Sequence, residues 1–409
     1  MFDLNQFISE YVTCRPASMF LPDIKTNDNI LSDAIKAKSV LVIGGAGSIG
    51  SSFIRAITGY EPAELYVVDT NENALTELTR DLRSSECYVP PVYRTYPMDY
   101  SSTVFRKMFR AHERRNDKKG FDIVANFSAH KHVRSEKDIY SIEALLRNNV
   151  IHAMELLGLL EQYPPEVYFC VSTDKAANPV NIMGASKRIM EDLIFSYSDS
   201  FPVKTARFAN VAFSQGSLPD GFLHRLEKHQ PLTAPADVER YFVSPEESGQ
   251  ICMLAAMLGN NREIFFPKLE PSSMMGFEEI AQNLLIAYGL RPLECDSEEE
   301  AIAWGERIRS KNEENPYPVW FSTSDTSGEK PFEEFYTETE MVDLKRYQSL
   351  GVITDKETPD RKKVEGIVHK LTDAFEDENT TKETIVSILS DYLPEFKHIE
   401  TGKSLDDKM

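Results

Sequence analysis

The chain holds 409 residues, 41% of them hydrophobic, with 65 acidic against 45 basic side chains and a formal charge of −20. That apolar content suffices for one large core or two modest ones, and so acidic a surface repels phosphate backbones and anionic headgroups, so neither nucleic-acid binding nor membrane-surface binding is expected. No run approaches the ~18 apolar residues of a membrane span, the start MFDLNQFISEY lacks the regions of an export signal, and five scattered cysteines without a Cys-x-x-Cys pair read as free thiols, so a cytoplasmic location is expected.

Residues 1–36 read as an N-terminal helical extension. Leu4, Phe7, Ile8 and Tyr11 fall at helical spacing, and Arg15-Pro16 and Leu21-Pro22 are expected to break the pattern. From Ser39 the pattern changes. Short apolar runs recur at Val40–Ile43, Leu65–Val68, Phe121–Val124, Val167–Val171 and Val203–Ala206, with helix-like segments such as Ile139–Leu160 and Met183–Tyr197 between them. Apolar strands alternating with helices imply a parallel sheet covered on both faces. The fold class is therefore α/β, with a doubly wound parallel sheet over residues 37–210. Residues 211–340 are less regular, with a strand-like Ile264-Phe265-Phe266 and an acidic helix near Ser297–Glu300, and are assigned to a smaller lobe over the sheet's C-terminal edge. Residues 341–409 are charged and weakly periodic, and are assigned to a peripheral helical tail without chemistry. His130 and His132 have no Cys or carboxylate at metal-ligand spacing, so no metal site is expected.

Straight after the first strand comes Gly44-Gly45-Ala46-Gly47-Ser48-Ile49-Gly50, with Ile49, Phe53, Ile54 and Ile57 then forming a helical face. Glycines at 44, 47 and 50 supply a tight turn, a backbone that a pyrophosphate can approach, and close helix–strand packing. The N–H groups at the helix start, from Ser48 and Ile49, are free to bind the anion. A glycine triplet alone could serve a sharp turn. Here Asp69 ends the second strand 19 residues after Gly50, close to the ~20 expected for an acid that accepts the ribose hydroxyls. Such a carboxylate repels a 2′-phosphate, which favours NAD over NADP. Asp99, after the third strand, is either near the adenine or a solvated turn residue.

The strand Val167–Val171 runs into Ser172-Thr173-Asp174-Lys175, and Met183-Gly184-Ala185-Ser186-Lys187 opens the next helix. Ligands in open α/β sheets sit beyond the carboxyl ends of the strands, which places Thr173, Asp174 and Lys175 to meet one. Met183 and Lys187, four apart, share a helix face.

The string Ser172-Thr173-Asp174-Lys175-Ala176-Ala177-Asn178-Pro179, followed by Met183-Gly184-Ala185-Ser186-Lys187-Arg188, resembles the nucleotide-sugar 4,6-dehydratases of the extended short-chain dehydrogenase/reductase superfamily. Matching pieces in the family's order are Ala129-His130-Lys131-His132-Val133, Arg207-Phe208-Ala209-Asn210-Val211, Arg240-Tyr241-Phe242, Ile264–Lys268 and Gly328–Phe332, covering about residues 38–340. The resemblance is strongest to polysaccharide-biosynthesis enzymes acting on UDP-N-acetylglucosamine. It implies a Rossmann domain holding NAD, a substrate-binding lobe at 211–340 and a homo-oligomer. It further implies that Asp174 and Lys175 are the acid and base, that Lys187 and Ser128 lie against the cofactor, and that Lys131, His132, Asn210, Arg240 and Glu329 bind the nucleotide sugar.

Where the superfamily carries Tyr-x-x-x-Lys, this chain has Met183-x-x-x-Lys187, and a thioether cannot relay the proton of a hydroxyl. Within the family the methionine form resembles the enzymes that retain configuration at C5. The implied function is NAD-dependent dehydration of UDP-N-acetylglucosamine to a 4-keto-6-deoxy sugar for surface polysaccharide or glycan synthesis. Thr173 then stands in for the missing tyrosine. Ala209, where the family usually has Gly, and Arg134, where it usually has Pro, bear on the shape of the sugar pocket. The rival readings are a GDP-linked substrate, a C4 epimerase or ketoreductase, and an inert NAD-binding scaffold.

Overall fold

The computed structural model describes residues 2–115, 120–311, 315–324 and 333–399. Fifteen strands form among the described residues, numbered in chain order: β1 (Ser39–Ile43), β2 (Glu64–Asp69), β3 (Val92–Pro97), β4 (Ile123–Asn126), β5 (Val167–Val171), β6 (Val203–Ala206), β7 (Asn210–Val211), β8 (Leu232–Pro235), β9 (Glu239–Val243), β10 (Ile264–Pro267), β11 (Met274–Gly276), β12 (Pro292–Glu294), β13 (Tyr317–Ser322), β14 (Met341–Asp343) and β15 (Leu350–Thr354). Nine of them build one sheet in the order β14-β15-β10-β6-β5-β4-β1-β2-β3. The strands from β10 to β3 run parallel, whereas β15 and β14 are antiparallel to their neighbours. All five residues of β1 are buried, as continuous apolar composition requires of a strand covered on both faces. The winding reverses between β1 and β4, which opens a crevice at their carboxyl ends.

This sheet corrects the sequence-based division of the chain. The apolar run Ile264–Phe266 does form a strand, but β10 pairs with β6 in the central sheet and not within the smaller lobe. Residues 341–354 contribute β14 and β15 to the same sheet, so the segment after 340 is no mere helical tail. The reason is burial: Leu350, Val352 and Ile353 are fully covered, and that need outweighs the charged residues around them. The fourth strand starts two residues later than its apolar run suggests. The Asp122 carboxylate there accepts the N–H and the hydroxyl of Ser39, both at 2.8 Å. Pro22 does not break the N-terminal pattern. It occupies the first turn of the helix Leu21–Thr26, where its missing N–H costs nothing.

The smaller lobe contains two three-stranded sheets, β11-β9-β7 and β12-β13-β8, with the helices Leu218–Glu227, Phe277–Ala287 and Glu298–Lys311. Its core combines Phe213, Phe222, Phe242 and Tyr317 with Phe7, Ile8 and Val12 of the N-terminal extension. Each such side chain contributes roughly 1.5–3 kcal/mol by burial. Arg15 then ties the extension down, donating to Glu247 at 2.6 Å and to the Phe242 carbonyl at 2.9 Å. At the other end of the chain, helices Arg361–Glu376 and Lys382–Tyr392 cover an apolar face of the helix Ile182–Ser196.

Candidate active site

Gly44, with φ of 70°, turns the chain sharply off β1, and a Cβ there would lie 2.6 Å from the Ser128 backbone nitrogen. Gly50 is packed closer still, since a Cβ would fall 2.3 Å from the Gly44 carbonyl oxygen. Gly47 differs. It caps the helix Ser48–Thr58, and its Cβ would meet nothing nearer than that same oxygen at 3.5 Å. The fold thus demands glycine at 44 and 50. At 47 it leaves bare backbone before a helix N-terminus, a shape that fits a phosphate group.

Asp69 ends β2 beside this turn, its Oδ2 accepting the Ala46 N–H at 3.0 Å and its Oδ1 the Asn71 N–H at 2.9 Å. Each oxygen keeps a lone pair for a ribose hydroxyl. Ser128, past β4, donates its hydroxyl to Asn148 at 3.1 Å. The Ser48 hydroxyl accepts the Gln215 N–H at 2.9 Å, and Ile49 packs against the core. Asp99 is exposed after β3, and its Oδ1 accepts the N–H and hydroxyl of Ser101 at 2.7 and 2.8 Å. Together the glycine turn, the open position at 47 and Asp69 fit a dinucleotide.

Beyond the end of β5, Thr173, Asp174 and Lys175 form a tight turn. Asp174 is 3% exposed. Both of its carboxylate oxygens lie 3.2 Å from Lys175 Nζ, and Thr173 Oγ1 donates to Oδ1 at 2.5 Å. Lys187 is buried in the helix Ile182–Ser196 and donates to the Val171 carbonyl at 3.0 Å, which brings its ammonium to the same strand end. Burial pushes its pKa down, against the opposing pull of Cys170 and Glu191. Met183 donates its N–H to Glu136 at 2.9 Å, while its side chain joins an apolar cluster with Ile367, Leu371 and Leu389. It supplies volume and no proton.

On the facing side, Asn210 (β7) and Arg240 (β9) converge on a residue that sequence reasoning missed. Glu333 Oε1 accepts from Asn210 Nδ2 at 2.6 Å, and Oε2 accepts the Tyr241 N–H at 2.7 Å. Burial first and the nearby Asp174 charge second raise the Glu333 pKa to about 8, against the lowering pull of Lys175, the Tyr241 N–H and Arg240. Lys131 reaches towards the Ser214 hydroxyl at 3.4 Å, and desolvation lowers its pKa against the pull of Asp220. The exposed His132 lies over Gly216, where a Cβ would come within 3.1 Å of Nε2. Glu329 falls outside the described residues.

A second unforeseen feature lies beneath the turn. Arg207, fully buried, holds Glu191 at 2.6 Å and Glu340 at 2.8 Å, and Lys356 closes on Glu340. Ser172, next to Thr173, donates to Glu191 at 2.6 Å. Burial pushes Glu340 up, but Arg207 and Lys356 outweigh it and bring its pKa to about 2. Glu191 stands one helical turn after Lys187, a spacing that was visible, but its partner Arg207 is brought in by the fold.

An open doubly wound sheet with these features is the fold of the extended short-chain dehydrogenases/reductases, and solved members share it. The dTDP-glucose 4,6-dehydratase DesIV of Streptomyces venezuelae, solved with NAD bound, superposes with a TM-score of 0.55 at 19% identity, over 73% of this chain and 88% of that one. Residues 40–354 match the polysaccharide biosynthesis protein family, and the chain belongs to that family. It is 28% identical over 346 residues to the probable polysaccharide biosynthesis protein EpsC of Bacillus subtilis, covering 80% of this chain and 55% of that protein. Against the inverting UDP-N-acetylglucosamine 4,6-dehydratase of Campylobacter jejuni, strain 81-176, the identity is 24%, over 57% of this chain and 67% of that enzyme. Among the described residues, no helix is long and apolar enough to cross a membrane, and no cluster of His, Cys, Asp or Glu could hold a metal ion.

Proposed function

We propose that the protein is an NAD-dependent nucleotide-sugar 4,6-dehydratase acting on UDP-N-acetylglucosamine with retention at C5. The observation that carries this reading is the Asp174–Lys175 pair beyond β5, with Thr173 bonded to Asp174 and Lys187 reaching the same strand end. Gly44, Gly47, Ser48, Ile49, Gly50, Asp69, Asp99 and Ser128 would hold the dinucleotide, with Lys187 at the nicotinamide ribose. When bound, NAD supplies reversible removal of hydride from C4 and its return at C6.

The chain's own residues handle the protons. As an ion pair, Lys175 and Asp174 carry the charges opposite to those the elimination needs. One proton passing across their 3.2 Å contact gives a neutral amine beside a carboxylic acid. Lys175 then takes the C5 proton acidified by the C4 ketone, and Asp174 gives its proton to the departing C6 hydroxyl. Lys175 returns its proton to C5 from the same face, which retains configuration. Thr173 is the partner for the C4 hydroxyl in place of the phenol that Met183 does not offer. The proton that the C4 hydroxyl gives up on oxidation passes by Thr173 to solvent, and one proton from solvent restores Asp174 after water has left. Lys187, held near that hydroxyl, favours loss of its proton electrostatically, and Lys131, His132, Asn210 and Arg240 would hold the nucleotide sugar.

Incubation with UDP-N-acetylglucosamine is expected to give a product lighter by one water with no net change in nicotinamide. After chemical reduction of the C4 ketone in ordinary water, the H4–H5 coupling constants are expected to show the starting configuration at C5. A C4 epimer without loss of water would replace this reading with an epimerase.

A further inference from the structure

Glu333 is a carboxyl placed among groups that a nucleotide sugar would use. It spans Asn210 on β7 and the backbone of Tyr241 on β9, with Asp174 and Lys175 facing it from the turn after β5 and Arg240 from β9. No cation closes on it as a salt bridge among the described residues, in contrast to Asp174, Glu191 and Glu340. Its neighbours serve a neutral acid as well as a carboxylate. One oxygen must accept from the Tyr241 N–H, which the carbonyl of a protonated carboxyl does. The other lies 2.6 Å from the Asn210 amide, a separation within the O–H···O range. Turning that amide over lets Glu333 donate a hydroxyl proton to Oδ1, since the two ends of an Asn amide are interchangeable in shape.

We propose that Glu333 is a specificity-determining residue of the sugar-nucleotide pocket, neutral when the pocket accepts its anionic ligand, and that its ionisation excludes that ligand. The inference rests on the nucleotide-sugar reading above. The physical reason is charge: a diphosphate brings negative charge to a pocket that already holds Asp174, and a second carboxylate would oppose it in a region of low dielectric. Burial and the Asp174 charge hold the Glu333 proton up to about pH 8, so the pocket stays open at neutral pH and closes above it. The signs agree. Binding that requires the protonated acid weakens as pH rises, by up to about ten-fold per pH unit once the acid has ionised, and takes up to about one proton per ligand. Lys131 is the group that could imitate this, because loss of its proton would also weaken anion binding.

The test is calorimetric titration of the NAD-loaded protein with UDP, a probe that is not turned over, from pH 7.5 to 9.5. The wild type is expected to weaken with pH and, at pH 8.5 in buffers of different ionisation enthalpy, to show proton uptake. Glu333→Gln, which keeps an acceptor for Tyr241 and a donor for Asn210, is expected to bind with little pH dependence and no uptake. Lys131→Met is expected to keep the uptake. If Glu333→Gln weakens in parallel with the wild type, or if uptake disappears in Lys131→Met, the role of Glu333 is overturned while the dehydratase reading stands. If the wild type takes up no proton, the inference fails without reference to any variant. If neither UDP nor UDP-N-acetylglucosamine binds at any pH, the nucleotide-sugar reading and this inference fall together.

Discussion

The two walls of the cleft are held by different physics. The wall proposed for the dinucleotide is local: Gly44 to Gly47 turn straight into the helix that carries Gly50, and Asp69 accepts a hydrogen bond from Ala46. Its shape follows from where a Cβ can and cannot sit. The wall proposed for the sugar is assembled from distant segments by polar and ionic contacts, Asn210 with Glu333 and Arg207 with Glu191 and Glu340. Sterics within one loop tolerate changes elsewhere in the chain. A buried polar assembly of long sequence separation does not, because losing one member leaves the others desolvated and unpaired. The contrast predicts that substitutions in the first wall change cofactor affinity, while those in the second change stability and turnover together.

The largest effect is expected between the walls. Asp174→Asn removes the proposed proton donor and Lys175→Ala the proposed base, and each is expected to lower dehydration by about 10²–10⁴-fold, the usual yield of one positioned acid or base. Both variants should retain NAD, measured by cofactor content after gel filtration. Near-normal turnover by either would remove that residue from the mechanism.

Next comes the ionic assembly. Arg207→Ala strands Glu191 and Glu340 in the interior, and breaking a buried pair in this way costs about 3–5 kcal/mol. Urea unfolding is expected to show that loss together with a fall in turnover, because Ser172 bonds the stranded Glu191 beside the turn that holds Asp174 and Lys175. A stability change below about 1 kcal/mol would mean that water can reach the pair, as it does for surface ion pairs.

The same contrast explains what was legible in the sequence. The strands over 39–43, 64–69 and 167–171 declare themselves because both faces are buried and most of their residues must be apolar. The glycine turn declares itself because the steric demand at Gly44 and Gly50 falls within one short segment. β10, β14 and β15 were misplaced because the pairing of β10 with β15 crosses 83 to 89 residues, and the charged run between β14 and β15 reads as solvated. Pairing partners of that separation are not written locally. Glu333 was hidden for the same reason: beside Glu334, in an acidic stretch, it resembles a surface carboxylate, and only the fold brings it to Asn210 and Tyr241.

Acid titration sharpens the comparison further. The Glu340 pKa is depressed in the folded chain to about 2, so the stability it adds is present above the ordinary carboxylate range and is lost as pH falls towards 2. Glu340→Gln is expected to flatten the acid limb of a stability-against-pH curve between about pH 4.5 and 2, the window set by the ordinary Glu value and the depressed one. No comparable change is expected from substitutions in the glycine turn. An unchanged acid limb in Glu340→Gln would place the acid sensitivity of the fold elsewhere.

The smallest structural effect, and the most telling one, is expected at Gly47. Its φ of −73° and ψ of 169° suit any residue, and an alanine Cβ would stand 3.5 Å from its nearest neighbour. Alanine is a poorer cap for the helix than glycine but restricts the unfolded chain more, and these terms oppose each other within about 1 kcal/mol. Thermal unfolding of cofactor-free Gly47→Ala should therefore stay close to wild type. NAD affinity should fall, because the added methyl stands where the backbone would otherwise touch the pyrophosphate. Gly50→Ala is the control. Its Cβ would fall 2.3 Å from the Gly44 oxygen, so fold and affinity are expected to fail together. If Gly47→Ala bound NAD as tightly as the wild type, position 47 would be a turn residue alone, and the open backbone before the helix would have to serve something other than a phosphate.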